Sequence, residues 1–235
     1  MINQEKTEAI PSIAHIVWFG KEQDDYVIRK CAASRQAHLS HFEHRTWSEK
    51  DVAEQVSSPE ERKMIETLIA QKRYAFASDI FRLRILHKFG GIYLDTDVEV
   101  VRPFDELLSN KAFFGAEARD RPNTAVFGSV KNHEFLQQCL EIIQERNKRG
   151  LNFLIAPELI KVAISRSSKD VRIYAPEYFY PYNPFDEGRD GDTLFYSDVT
   201  SKTFAIHHWN ASWKLSFWDR LVRRLRNLRE PNTNV

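Results

Sequence analysis

The sequence predicts a single α/β domain, and three observations support this fold class. The first 50 residues show a strand pattern, a helix pattern and a second strand pattern in turn. A helical pattern over residues 74–89 runs into Gly90-Gly91 and then into the apolar strand pattern of residues 92–100. The chain has 235 residues, 42% of them hydrophobic, which suffices for one substantial core but not for two ordinary enzyme domains. Strands that alternate with helices pack those helices against a shared sheet.

The opening elements follow from hydrophobic periodicity. Residues 13–19 form a short apolar run that predicts a buried strand. Residues 24–39 place apolar side chains three or four positions apart, as a helix requires, and residues 42–47 predict a second strand. The chain is therefore expected to open as a β-α-β unit.

The middle of the chain predicts two helices, over residues 59–70 and 74–89. A left-handed cap at Gly90 would end the second helix directly before the strand of residues 92–100. Four aromatic residues within residues 178–182 predict an irregular segment packed against a core or a cleft. The other predicted elements are strands over residues 112–116, 125–130, 171–174 and 203–208, and helices over residues 133–148 and after Pro157.

Composition and charge exclude several classes of protein. Thirty-four Lys and Arg against 33 Asp and Glu give a net charge of +1, which removes the electrostatic case for a nucleic-acid binder. The two cysteines, Cys31 and Cys139, lie far apart in helical patterns, so we expect buried thiols in a reducing compartment. The polar residues 1–10 lack a signal-peptide pattern, and no run approaches the roughly 20 apolar residues of a membrane span. A cytoplasmic location is therefore predicted.

Two carboxylates stand out in the strand pattern of residues 92–100. Alternation along a strand places Asp95 and Asp97 on the same face, about 7 Å apart at roughly 3.3 Å per residue. Neighbouring acids repel each other unless a cation or several hydrogen-bond donors lie between them. Carboxylate oxygens are the ligands that suit Mg²⁺ or Mn²⁺, and such an ion in turn binds a diphosphate.

The Asp-x-Asp pattern also occurs in sites of other kinds. A solvated strand face is the commonest explanation for such a pair. An EF-hand loop that starts at Asp95 would need glycine where Val100 stands, which disfavours calcium. A phosphatase of the haloacid-dehalogenase type would have Thr or Val at position 99, where this chain has Glu99, and its motif would open the domain.

A longer signature surrounds the two aspartates. Residues 73–97, which read RYAFASDIFRLRILHKFGGIYLDTD, resemble the central signature of the DXD sugar-transferase family. This family includes bacterial capsule and lipopolysaccharide glycosyltransferases, yeast initiating mannosyltransferase-like enzymes and, more distantly, the glucosyltransferase domain of large clostridial toxins. Residues 10–20, 178–181 and 207–213 resemble the family's opening, aromatic-proline and closing motifs, so the resemblance spans most of residues 10–213.

This resemblance implies both a fold and a reaction. The fold is the GT-A type, a central mixed sheet flanked by helices, over residues 1–213. The reaction is metal-dependent transfer of a sugar, with retention of anomeric configuration, from a nucleotide-sugar such as a UDP-sugar. The implied acceptor is a glycan or a lipid-linked saccharide in surface polysaccharide synthesis. Two alternatives stay open: a toxin-like transferase acting on a host protein, and a module that binds a sugar or a partner without turnover.

The resemblance also assigns roles to the residues of the central signature. Asp79 and Arg82 stand three apart on the predicted helix and share a face, so both can lean toward the end of the following strand. Asp79 would accept hydrogen bonds from the donor sugar, and Arg82 would lie near the sugar and the diphosphate. Asp97 would bind Mn²⁺ or Mg²⁺ directly, and Asp95 would contact the ribose or a water on the metal.

The outlying motifs supply the remaining predicted site residues. The third metal ligand is His207, with His208 as the alternative. The donor site is completed by residues from both ends of the domain: Trp18, which would stack on uracil, its neighbour Phe19, and Ser212 and Trp213, which would reach the diphosphate and cover the donor.

The last segment, residues 214–235, differs in character from the rest of the chain. Trp218, Leu221, Leu225 and Leu228 fall on one helical stripe. Residues 214–229 carry six basic residues and one acidic residue, a net charge of +5. Such a tail could bind an anionic membrane surface, which would place the enzyme peripherally on the inner face of the membrane. The alternative, to which we give equal weight, is that this segment forms a helix that packs its apolar stripe against its own domain.

Overall fold

The computed structural model describes residues 9–21, 25–119, 121–151, 154–167, 169–185 and 193–210. Most of these residues belong to helices and strands arranged around one large sheet. The strands are β1 (Ile13–Val17), β2 (Glu43–Trp47), β3 (Gly91–Leu94), β4 (Val98–Val100), β5 (Ala112–Ala118), β6 (Arg121–Ser129), β7 (Val171–Tyr174) and β8 (Ala205–His207). The helices are α1 (Tyr26–His38), α2 (Glu49–Gln55), α3 (Pro59–Ala70), α4 (Tyr74–Phe89), α5 (Glu134–Lys148) and α6 (Ala156–Arg166). Short 3₁₀ helices cover Asp105–Ser109, Pro176–Tyr178 and Tyr196–Asp198.

The central sheet has six strands in the order β2-β1-β3-β6-β5-β7. β1 pairs in parallel with β2 and β3, β6 runs antiparallel to β3 and β5, and β7 runs parallel to β5. A second sheet consists of the antiparallel pair β4 and β8. The predicted α/β class with a mixed central sheet flanked by helices is therefore confirmed.

Two hydrophobic cores cover opposite faces of the central sheet. Tyr93 and Phe127 point into a core that packs against α4 and α5. Their strand neighbours Ile92 and Val126 point into the other core, as the two-residue period of a strand requires. The predicted aromatic segment lies in this second core, where its residues Phe179 and Tyr180 are buried. Among the residues that the structure describes, no helix is both long and apolar enough to cross a bilayer.

The prediction of one continuous strand over residues 92–100 is wrong. β3 ends at Leu94, the chain turns through residues 95–97, and β4 begins at Val98. The reason is that β3 lies between two strands of the central sheet, whereas β4 leaves that sheet and pairs with β8. A solvated strand face is excluded as well, because Asp95 and Asp97 lie in the turn rather than on a strand and their side chains are only 27% and 15% exposed.

Other differences from the predicted elements are small. α3 and α4 have the predicted bounds, with Ser58 capping α3 and Gly90 ending α4. β6 extends the predicted strand of residues 125–130 toward the N-terminus and forms a hairpin with β5. The helix α2 was not predicted, because seven residues with two apolar ones give too weak a periodic signal. Cys31 and Cys139 are buried free thiols, as predicted.

The Gly90-Gly91 junction reverses the chain between α4 and β3. Both glycines have positive φ, +67° at Gly90 and +102° at Gly91. A Cβ atom at Gly91 would lie 2.7 Å from the carbonyl oxygen of Ile13 and 2.9 Å from Nε2 of His15, both within the neighbouring strand β1. The absence of a side chain at this position therefore allows the close approach of β1 to β3.

Gly91→Ala is expected to lower the free energy of unfolding by about 3 kcal/mol, because backbone strain adds to a clash with strand backbone. Urea denaturation of both proteins measures the loss. Gly150→Ala is the matched control, because Gly150 also has positive φ (+63°) but open space around the added atom. Equal losses at Gly91 and Gly150 would contradict the role of the close contact.

A buried histidine, His15, ties β1 to the same junction. It is 0% exposed, and its Nε2 donates to the carbonyl oxygen of Gly90 at 2.9 Å. Its Nδ1 accepts a hydrogen bond from Nε1 of Trp47 at 3.0 Å. The neutral ring satisfies both partners, so protonation would leave two donors facing each other.

The stability of the protein is expected to depend on the protonation of His15. Burial is the main reason that the pKa of His15 falls from 6.5 to about 4. The unfolded chain takes up this proton near pH 6.5, so the contribution of His15 is complete above that pH and declines down to about pH 4. The total loss is about 3 kcal/mol. Urea denaturation across this range should show a flatter profile for His15→Gln, whereas the surface variant His41→Gln should follow the wild type. Parallel profiles for all three proteins would contradict this prediction.

Candidate functional site

The candidate site is built around the turn between β3 and β4. The amide of Asp95 donates to the carbonyl oxygen of Ala125 at 2.8 Å, which prolongs the pairing with β6 by one residue. The amide of Val98 then donates to the carbonyl oxygen of Asp95 at 3.1 Å and closes the turn. In the next strand pair, Val98 lies opposite His207. The pairing of β4 with β8 therefore brings the closing motif to the two aspartates.

Asp95, Asp97 and His207 form a compact cluster. One side-chain ligand atom from each of the three lies within 4.8 Å of the other two. Asp97 Oδ1 lies 3.4 Å from His207 Nε2, and Asp97 Oδ2 accepts a hydrogen bond from the amide of Asn210 at 2.8 Å. The turn, rather than a shared strand face, places the two carboxylates together.

The donor set of this cluster fits a divalent cation. Two carboxylates and one imidazole are ligands that Mn²⁺ accepts, and carboxylates suit Mg²⁺ as well. Nδ1 of His207 is buried and has no hydrogen-bond partner within the described part of the chain. The ring nitrogen beside Asp97 is Nε2, so the fit to a cation rests on the donor set of the cluster. The residues present therefore fit the metal that the resemblance implies.

The charges in the cluster compensate one another in the metal-free protein. Burial alone would raise the pKa of Asp97, but His207 and the amide of Asn210 hold it below its ordinary value. Burial raises the pKa of Asp95 despite the neighbouring guanidinium of Arg82. Burial would lower the pKa of His207, yet the negative charge of Asp97 keeps it above its ordinary value. A histidine and an arginine thus offset the two carboxylates.

A second group of residues from α4 adjoins the cluster. Because the chain reverses at Gly90-Gly91, the middle of α4 lies beside the end of β3. Arg82 Nη2 lies 3.0 Å from Asp79 Oδ1, and Arg82 Nη1 lies 3.2 Å from Asp95 Oδ1. The arginine side chain is 8% exposed, so the predicted pair of α4 residues is not a surface ion pair.

Two further contacts hold Arg82 in place. Its guanidinium lies 4.5 Å from the ring centroid of Tyr93 and donates from Nη1 to the carbonyl oxygen of Thr124 at 3.0 Å. The Tyr93 hydroxyl donates to Asp95 Oδ1 at 2.7 Å. Burial raises the pKa of Asp79 to about 6, against the opposing effect of Arg82. Asp79, Arg82 and Asp95 therefore form one buried network beside the metal cluster.

Sequence reasoning missed the polar residues that the β5–β6 hairpin contributes. Asn123 donates from its side-chain amide to the carboxylate of Glu117, and its Oδ1 accepts from the hydroxyl of Tyr180 at 3.3 Å. Glu117 is 5% exposed and lies at a shift in the β5–β6 register, which is where bulges redirect side chains. The Asn123-Thr124 pair, which precedes the apolar run of β6, was the signal that could have marked this position.

The other predicted site residues lie in different surroundings. Trp18 is partly exposed at the end of β1, and its Nε1 donates to the carbonyl oxygen of Lys21 at 3.2 Å. Phe19 is buried and packs against Phe81, with ring centroids 5.6 Å apart. His208 Nε2 lies 2.7 Å from Glu99 Oε2, so the metal cluster contains His207 and not this alternative. The described residues do not include Ser212, Trp213 or the tail of residues 214–235. The contacts with the donor that were assigned to Trp18, Phe19, Ser212 and Trp213 therefore stay predictions.

Comparison of the fold with solved structures finds a glycosyltransferase. The solved structure named "PaToxG Glycosyltransferase" superimposes with a TM-score of 0.57 and 19% sequence identity, covering 68% of this chain and 69% of that chain. This similarity concerns the fold, and it agrees with the GT-A type that the family resemblance implies.

Comparison with curated proteins finds named glycosyltransferases. "Alpha-1,4-N-acetylglucosaminyltransferase" from Homo sapiens is 29% identical over 147 residues, which cover 57% of this chain and 42% of the relative. "Lactosylceramide 4-alpha-galactosyltransferase" from Homo sapiens is 28% identical over 152 residues, which cover 57% of this chain and 41% of the relative. "Inositol phosphoceramide mannosyltransferase 3" from Schizosaccharomyces pombe is 23% identical over 227 residues, which cover 88% of this chain and 62% of the relative. The match thus spans about two fifths of the length of the first two relatives.

A family model described as "Glycosyltransferase sugar-binding region containing DXD motif" matches residues 6–114. This range contains β1, α4 and the turn with Asp95 and Asp97, and it ends within β5. His207 lies beyond the range, in the part of the chain that the β4–β8 pairing brings back to the turn. Residues 6–114 are therefore similar to the glycosyltransferase sugar-binding regions that contain a DXD motif.

Proposed function

We propose that this chain is a metal-dependent glycosyltransferase that moves a sugar from a UDP-sugar to a saccharide acceptor. The observation that carries this proposal is the convergence of Asp95, Asp97 and His207 beside the buried pair of Asp79 and Arg82. A cation site next to fixed hydrogen-bonding groups suits a substrate that joins a diphosphate to a sugar. In this proposal residues 1–213 form the catalytic domain and residues 214–235 a separate tail.

Each group in the site has a chemical task in this reaction. Asp97 and His207, with Asp95 beside them, would hold Mn²⁺ or Mg²⁺, which when bound supplies positive charge to the leaving diphosphate. Arg82 adds a fixed positive charge on the side of the sugar. Asp79 offers a carboxylate oxygen that can accept hydrogen bonds from sugar hydroxyls and so orient the ring.

The transfer is proposed to retain the anomeric configuration. The acceptor hydroxyl oxygen forms a bond to the anomeric carbon on the face from which the diphosphate leaves, and its proton passes to the departing phosphate oxygen. The names of two relatives specify α-linked transfer. An α-linked product corresponds to retention when the nucleotide-sugar donor is itself α-linked.

The acceptor is proposed to be a glycan or a lipid-linked saccharide in surface polysaccharide synthesis. Two relatives carry the names of glycolipid or phosphosphingolipid substrates, which supports an acceptor of this chemical class. A cytoplasmic location, with the basic residues 214–229 on the inner face of a membrane, would bring the site to such a lipid. Flotation with anionic liposomes, with and without residues 214–235, tests this location, because equal partitioning would contradict it.

Calorimetric titration with UDP tests the donor site directly. We expect binding in the presence of Mn²⁺ and its loss on addition of a chelator, with GDP as the comparison nucleotide. Hydrolysis of UDP-sugars by the same protein would then identify the sugar, and anomer analysis of the product would test retention. Absence of binding by both nucleotides with Mn²⁺ would contradict the proposal and favour a module that binds without turnover.

A further inference from the structure

Arg35, in the second half of α1, contacts the backbone of the turn that carries the two aspartates. The residue is 6% exposed. Its Nη1 donates to the carbonyl oxygens of Thr96 and Val98, each at 3.3 Å. These two residues flank Asp97 in the chain. One guanidinium therefore holds the backbone on both sides of the aspartate that is proposed to bind the metal.

The surroundings of Arg35 are unusual for a buried cation. Within the ranges that the structure describes, no carboxylate lies within salt-bridge distance of its guanidinium, and the contacts at Nη1 are to backbone oxygens. Burial lowers the pKa of Arg35, although the nearby negative charge of Asp97 acts in the opposite direction. A buried charge without a counter-ion is costly to folding, so its placement here calls for a role that an apolar side chain would not serve.

Other residues of the same helix region reach the turn and the closing motif. Ser34 Oγ accepts a hydrogen bond from the amide of Val100 at 2.9 Å. Asp25, which caps α1, lies close to Asn210, whose side chain lowers the pKa of the Asp25 carboxyl. The amide of Asn210 in turn donates to Asp97 Oδ2 at 2.8 Å. The region from Asp25 through α1 thus holds Asp97 from its backbone side and, through Asn210, from its carboxylate side.

We infer that Arg35 is a positioning residue for the metal site. By fixing the carbonyls of Thr96 and Val98, it keeps the turn in the conformation that directs the Asp97 carboxylate toward His207. It contacts neither the metal nor the sugar and acts through Asp97. The part of this inference that concerns the metal rests on the proposed function. Groups that orient metal ligands from the second layer typically change metal affinity by about 10- to 100-fold.

Two measurements on the full chain test the role of Arg35. Arg35→Met is expected to speed amide exchange across residues 96–100 in the metal-free protein and to weaken Mn²⁺ binding by about 10- to 100-fold, measured by calorimetry. Lys30→Met is the matched control, because it removes an exposed positive charge from the same helix, and it should leave both quantities unchanged. Arg35→Lys keeps the charge but offers a single ammonium group. Its amide exchange rates and its Mn²⁺ affinity are expected to lie between those of the wild type and those of Arg35→Met.

The outcomes separate this inference from the proposed function. Unchanged exchange across residues 96–100 in folded Arg35→Met would overturn the positioning role, whether or not the wild-type chain binds Mn²⁺. Faster exchange together with unchanged Mn²⁺ affinity would overturn its connection to the metal site. Failure of the wild type to bind Mn²⁺ and UDP would contradict the proposed function. The amide exchange rates of residues 96–100 would in that case still show whether Arg35 holds the turn. If Arg35→Met does not fold, the same comparisons are made with Arg35→Lys.

Discussion

Asp97→Asn is expected to reduce sugar transfer by about 10³-fold and to abolish the rise in melting temperature that we expect Mn²⁺ to produce in the wild type. The carboxylate of Asp97 is central to the cluster, because its Oδ1 lies 3.4 Å from His207 Nε2 and its Oδ2 accepts a hydrogen bond from the amide of Asn210. An amide group of nearly the same shape carries no negative charge and is a poor ligand for a hard cation. Loss of a preorganised charge at the leaving group typically costs a factor of this size.

The control for this substitution is Asp105→Asn. Asp105 carries the same carboxylate but is largely exposed and pairs with His41 at the surface. The Asp105→Asn protein should transfer sugar like the wild type and show the same change in melting temperature with Mn²⁺. Thermal melting with Mn²⁺ and with chelator measures metal binding independently of any acceptor. An Asp97→Asn protein that keeps full transferase activity or the full Mn²⁺ response would refute the assignment of Asp97.

Arg82→Met is expected to lower the free energy of unfolding by about 3–5 kcal/mol, in addition to any loss of activity. The guanidinium is the shared partner of Asp79 and Asp95, and its removal leaves two carboxylates in low-dielectric surroundings without their cation. The contact with the Tyr93 ring is lost as well. Urea denaturation of the metal-free protein at pH 7.5 measures this change.

Arg166→Met provides the comparison for Arg82→Met. Arg166 pairs with Glu145 at 3.2 Å, but both side chains are about half exposed, so its loss should cost less than about 1 kcal/mol. Adding Asp79→Asn to Arg82→Met should recover part of the lost stability, because it removes one of the two uncompensated charges. If Arg82→Met costs no more than Arg166→Met, the buried network contributes nothing to folding.

The accuracy of the sequence predictions followed the strength of local signals. α3 and α4 were predicted with their observed bounds, because Ser58-Pro59 and Gly90 carry cap signals that act within one turn of the helix. The strand of residues 92–100 was predicted as continuous, because its alternation of apolar and polar residues persists through the turn. The break after Leu94 depends on β4 finding a different partner, β8, more than 100 residues later.

The candidate site shows the same difference between features set by local sequence and features set by long-range contacts. The shared face of Asp79 and Arg82 on α4 was predicted because three-residue spacing on a helix fixes which side chains lie together. The sequence favoured His207 over His208 as the third ligand, and in the structure His207 lies beside Asp97 whereas His208, one residue beyond β8, lies beside Glu99. Glu117, Asn123 and Arg35 were missed, because their relevance arises from contacts with distant backbone or side chains.

By itself the sequence determined the α/β class, most elements of the sheet and the shared face of Asp79 and Arg82 on α4. These features depend on interactions between residues a few positions apart, whose periods of two and 3.6 residues can be read directly. The tertiary structure decided that the two aspartates lie in a turn, that His207 joins them and that Arg35 holds the turn from behind. Those arrangements depend on strand pairing and helix packing over 60 to 110 residues of chain, where local patterns carry no information about which partner is chosen.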